Sequence, residues 1–151
     1  PTDAVQVEND GAGVRPELVI ARAGQEIQGR SLDGHLHTLL ASGDNAGTTF
    51  NIPMMSSGVW STVVVREAAK VSRLRCTVHP QGEAPAYLVV LDHPFFTKTA
   101  ADGSFRLEGV PAVKVSLAAW HATLGDAARD LEIAAQSSAD ADLRLVVSNA
   151  R

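Results

Sequence analysis

The chain has 151 residues, 45% of them hydrophobic and 20% charged, which is the length of one ordinary domain or of one domain with a sizeable C-terminal extension. A formal charge of −4, with no block of lysine or arginine, excludes nucleic acid and an anionic membrane surface as obvious partners. No apolar run approaches the ~20 residues of a spanning helix, and the single cysteine, Cys76, cannot form an internal disulfide.

Taken in chain order, apolar and β-branched runs predict short strands. They fall at Ala4 to Val7, Leu18 to Ala21, His37 to Ala41, Trp60 to Val65, Val71 to Cys76, Tyr87 to Leu91, Ser104 to Leu107, Val113 to Trp120 and Leu143 to Val147. Turn-rich stretches separate them: Asn9-Asp10-Gly11, Ala23-Gly24, Ser42-Gly43-Asp44-Asn45, Ser56-Ser57-Gly58 and Ala101-Asp102-Gly103-Ser104. That spacing predicts an all-β sandwich. Asp102-Gly103 is the clearest hairpin signal, because this pair supplies the positive φ angles of a tight turn. The alanines, Leu131 and Ile133 between Ala118 and Ala141 suit a helix or extended chain, and the reading adopted here is mostly extended. No fixed-period repeat and no low-complexity segment is visible.

The chemistry concentrates around Cys76. It stands in Arg75-Cys76-Thr77-Val78-His79-Pro80, so a thiolate at a strand end and an imidazole three residues later can turn toward one ion. A third ligand must then come from a distant strand, and His37, flanked by Leu36, Leu39 and Leu40, meets that demand. One thiolate and two imidazoles form the equatorial set of a blue-copper electron-transfer site, which also takes a weak axial ligand. Zinc would want four ligands, usually including paired cysteines, so copper is the better ion. For the axial position Gln81 could offer an amide oxygen and Glu83 a carboxylate, although a charged loop side chain is usually solvated. Met54 and Met55 read first as core fillers or an exposed patch. His35 reads as a solvated neighbour of His37, and Trp60 and Trp120 as core or interface aromatics. No phosphate loop, nucleophile elbow or paired-histidine zinc helix is present, and nothing beyond the Cys76 and His79 pair suggests a nucleophile, so the chain does not read as an enzyme.

From about Glu17 to Leu124 the chain resembles the periplasmic cupredoxin-like family described as plastocyanin-like or methylamine-utilisation-like. The motifs that carry the resemblance are Ala23-Gly24-Gln25, Leu36-His37-Thr38-Leu39, Phe50-Asn51-Ile52, Cys76-Thr77-Val78-His79-Pro80, the run from Ala86 to Phe96 containing Asp92-His93-Pro94, Asp102-Gly103-Ser104-Phe105 and Ala119-Trp120-His121. The resemblance implies a cupredoxin-like Greek-key β-sandwich over residues 1–96. Residues 97–151 would continue it as a C-terminal β extension like a carboxypeptidase regulatory-like or transthyretin-like module, packed on the first domain. It implies copper ligands at His37, Cys76 and His79, and an axial methionine at the position that Gly82 occupies here. The loop Gln81-Gly82-Glu83-Ala84-Pro85 is also longer than the family pattern.

Two functions follow as expectations. The first is an extracytoplasmic, periplasmic protein that binds one copper and passes single electrons to a redox protein or a membrane-bound electron-transfer complex. The second is a non-redox accessory subunit with a degenerate copper site, docked on such a complex, with Pro53-Met54-Met55 and the Ala-rich tail as exposed contact surfaces.

Overall fold

The computed structural model describes residues 3–43, 47–79 and 84–146, and among them there is no helix. The chain separates into two compact units, Pro1–Pro94 and Phe95–Arg151.

Among the described residues the first unit holds nine strands in two sheets. One sheet has the order β2-β1-β4-β7, from β1 (Val5–Asn9), β2 (Val14–Arg15), β4 (Glu26–Ser31) and β7 (Ser61–Val64). The other has the order β3-β9-β8-β5-β6, from β3 (Leu18–Arg22), β5 (His37–Gly43), β6 (Gly47–Met54), β8 (Ala69–Arg75) and β9 (Ala86–Leu91). β1 runs parallel to β4 and β3 parallel to β9, and the other pairs are antiparallel. Both sheets contribute to one core. Val7, Val14 and Ile27 come from the first, while Val19, Leu39, Phe50, Leu74, Leu88 and Val90 come from the second, so the unit is a β-sandwich.

Alternation explains most of these strands. In β9 the inward positions are Ala86, Leu88 and Val90, with half-buried Tyr87, Val89 and Leu91 between them. β4 escapes such a reading, because its inward positions are Ile27, Gly29 and Ser31 and only one of them is a large hydrophobe. Gly29 is small for a reason. A Cβ there would lie 3.2 Å from Met54 Cγ and 3.3 Å from its sulfur, so Met54 fills the space between the sheets over a bare backbone. Met54 is fully buried, which corrects the expectation that Pro53-Met54-Met55 is an exposed stretch throughout; Pro53 and Met55 alone are exposed. β6 accepts Pro53 because it is an edge strand.

In the second unit β10 (Lys114–His121) and β11 (Gly125–Glu132) form one antiparallel hairpin, and no described residue is buried. Residues 125–132 are extended rather than helical, in line with the mostly extended expectation for the Ala-rich region. Two expected strands differ. Ser104 to Leu107 is not a strand, and the described part of Leu143 to Val147 is not one either, with Val147 outside the described residues. The Asp102-Gly103 turn does form: Gly103 has φ +83°, Ser104 N–H donates to Asp102 Oδ1 at 2.9 Å, and Ala100 N–H donates to Ser104 O at 2.8 Å. Its flanks pair with no strand among the described residues. The alternating side chains of residues 104–107 carry a local signal, whereas a strand also needs a neighbour to pair with.

Candidate metal centre

Strand pairing brings the distant candidate ligands together. β5 and β8 are adjacent, with Leu40 opposite Arg75 and Ala41 opposite Leu74. The same register carried beyond the end of β8 sets Thr38 against Thr77. Hydrogen bonds mark that junction: Thr77 N–H donates to Thr38 Oγ1 at 2.7 Å, and the two hydroxyls lie 2.9 Å apart. His37 therefore opens β5 beside Cys76, the first residue after β8, and the turn of residues 77–79 folds His79 back over them.

His37, Cys76 and His79 place one ligand atom each within 4.8 Å of one another. Cys76 Sγ is 3.7 Å from His37 Nδ1, and the Nδ1 atoms of His37 and His79 are 3.3 Å apart. The two rings are tilted by 57°, with centroids 4.8 Å apart. Bonds of about 2.0 Å to imidazole and about 2.3 Å to thiolate, the lengths usual for a first-row ion, span the 3.3 and 3.7 Å separations at angles of roughly 110–120°. His37 is thus spaced from Cys76 and from His79 as two ligands of one small ion would be, and all three donor atoms lie within 4.8 Å. The set has a soft thiolate and two imidazoles without a second cysteine, which suits copper better than a structural zinc.

Burial is graded across the site. Cys76 is fully buried, His37 is 1% exposed, and His79 is open to solvent. Cys76 Sγ accepts backbone N–H donors from Thr38 and His79, each at 3.4 Å, and Thr38 Oγ1 lies 3.8 Å away. Burial pushes the thiol pKa up, but these N–H groups together with His37 outweigh it and hold the thiol below its ordinary range. Burial likewise works against charge on His37, yet hydrogen bonding to Cys76 and Asp33 leaves the imidazole more basic than usual.

Asp33 is the neighbour that the sequence reading passed over. Its carboxylate meets His37 Nε2 at 3.0 and 3.1 Å, and accepts His35 N–H and Ser31 Oγ–H, both at 3.0 Å. The His35 N–H above all, with the two side-chain donors, holds its pKa at about 2. A carboxylate four residues before a candidate ligand, across a Gly34 turn with φ +77°, was the available signal. Thr38 and Thr77 carried none beyond their place next to ligands.

The neighbouring histidine, methionine and aromatic side chains stand elsewhere. His35 is exposed and takes part through its backbone only, in keeping with a solvated neighbour. His121 belongs to the β10–β11 turn, where its Nδ1 accepts Thr123 N–H at 3.2 Å. Met54 is opposite His37 in the β5–β6 register and serves the core. Trp60 is half-buried, with the Arg30 guanidinium 4.4 Å from its ring centroid. The axial candidates Gln81 and Glu83, and Gly82 at the expected methionine position, lie outside the described residues.

No family model matches the chain, and no curated protein does. Among solved structures it is similar to a purple cupredoxin from Nitrosopumilus maritimus, at 18% identity over 57% of this chain and 98% of that one, with a TM-score of 0.47. A reduced amicyanin variant is similar at 16% identity over 58% of this chain and 81% of that one, again with a TM-score of 0.47. At such values a functional reading for this chain rests on its own residues.

Proposed function

We propose that the chain is an extracytoplasmic cupredoxin-like protein that binds a single copper through His37, Cys76 and His79 and passes one electron at a time. The observation that carries the reading is the spacing of the three ligand atoms, with His37 and Cys76 buried and His79 exposed. Bound copper would supply a Cu(II)/Cu(I) couple. The chain's own part is to hold the ligands before the ion arrives. β5 and β8 fix His37 and Cys76 on paired strands, and the Thr38–Thr77 bonds tie the ligand turn to β5. The N–H groups of Thr38 and His79 stabilise the sulfur as thiolate, the form that binds metal. Exposed His79 is the edge through which an electron would leave toward a redox protein or a membrane-bound electron-transfer complex. A fully buried Cys76 cannot meet a substrate from solution, which supports an electron carrier over a cysteine enzyme. Gln81 remains the proposed weak axial ligand.

Voltammetry of the copper-loaded protein tests the carrier role. A reversible one-electron wave supports it, and tightly bound copper with no reversible wave contradicts it.

One observation favours the accessory-subunit reading: the second unit is a two-stranded hairpin with no buried described residue. Such a hairpin is marginal alone, and a partner surface would complete it. Under that reading a complex with an electron-transfer assembly persists unchanged in Cys76→Ser.

A further inference from the structure

We propose that Asp33 is the positioning residue of this centre: its carboxylate fixes the tautomer and orientation of His37 and strengthens the imidazole as a donor to metal. The inference rests on the copper reading above and deepens it.

An ionised carboxylate can only accept hydrogen bonds. With Asp33 Oδ1 and Oδ2 at 3.0 and 3.1 Å from His37 Nε2, that nitrogen must carry the proton. In the neutral ring the lone pair is then on Nδ1, the atom that faces Cys76 Sγ and His79 Nδ1. The opposite tautomer would aim an N–H at the place where the ion must sit. A carboxylate behind a ligating imidazole also raises its basicity, which favours the more highly charged state of the ion.

Asp33 is itself held from three sides. Ser31, the last residue of β4, donates its hydroxyl, and His35 donates its backbone N–H across the Gly34 turn. On the third side is the turn between β1 and β2. A Cβ on Gly11, which has φ +85°, would lie 2.6 Å from Asp33 Oδ2, so that turn closes against the carboxylate with no room for a side chain. The carboxylate is thus fixed before any metal binds.

The test uses the full chain, with Asp33→Ala and Asp33→Asn beside the wild type. In the metal-free protein at alkaline pH, imidazole 15N NMR should show His37 protonated at Nε2. It should keep that form in Asp33→Asn, whose amide oxygen can still accept, and become a tautomer mixture in Asp33→Ala. Cu(II) affinity should fall about 10- to 100-fold in Asp33→Ala. In Asp33→Asn, which keeps the hydrogen bond and loses the charge, the reduction potential should rise. An unchanged His37 tautomer in Asp33→Ala, or affinity and potential equal to wild type in both variants, would overturn the proposal. If the wild type takes up no copper, the electron-carrier reading falls, and the metal-free 15N spectra still decide whether Asp33 sets the tautomer.

Discussion

Thr38 does two things with one residue. Its backbone N–H reaches the cysteine sulfur, and its hydroxyl receives the N–H of Thr77, so β5 and the turn of residues 77–79 are joined beside the buried sulfur. Thr38→Val keeps the shape and the backbone bond and removes the hydroxyl. The expected loss is about 1 kcal/mol, the usual net worth of one such hydrogen bond, read as a lower Tm of the metal-free protein. The copper spectrum should persist, because neither the ligands nor the N–H donors to sulfur are removed. At this scale the sequence was informative about the proposed ligands and silent about their support. Cys76, His79 and His37 announce themselves by residue type, since few side chains bind soft metals. Asp33 and Thr38 matter only through where the turn and the register put them, and an aspartate before glycine first reads as a turn former.

Most strands of the first unit with large inward side chains showed in the sequence. β3, β5, β8 and β9 fall within a residue or two of the expected runs. β4 did not show, because Gly29 and Ser31 occupy two of its three inward positions. β11 was legible only as part of a mostly extended region, because Asp126, Arg129, Asp130 and Glu132 break its apolar pattern, and β6 was hidden by its proline. The packing of β4 against β6 gives a sharp prediction. In Gly29→Ala the new methyl must displace Met54 and Leu39, whose atoms would lie 3.2 to 3.4 Å away. Overpacking of a tight core costs about 1–3 kcal/mol, so urea denaturation should shift to a lower midpoint with an unchanged slope. A midpoint equal to wild type would show that Met54 yields freely, and that the space between the sheets is looser than described.

The two units should differ in local stability. The first has a core drawn from both sheets, while the second has a hairpin without a buried described residue. Hydrogen exchange should therefore find β5, β8 and β9 amides protected up to the level of global unfolding, and β10 and β11 amides exchanging far earlier. Equal protection in both units would mean that the second is stabilised by packing its exposed side chains do not suggest. Metal should act on the first unit. Copper at 100 times its Kd should add about 2.7 kcal/mol to the stability of that unit, and a chelator should remove the gain.

The central claim is that His37, Cys76 and His79 form one copper site. Its most direct test is a titration of the reduced protein with Cu(II), followed by visible absorption and electron paramagnetic resonance, with Cys76→Ser in parallel. The account predicts an intense thiolate-to-copper charge-transfer band that saturates at one equivalent and is absent in Cys76→Ser. A folded wild-type protein that develops no such band, or a band that survives in Cys76→Ser, would contradict it.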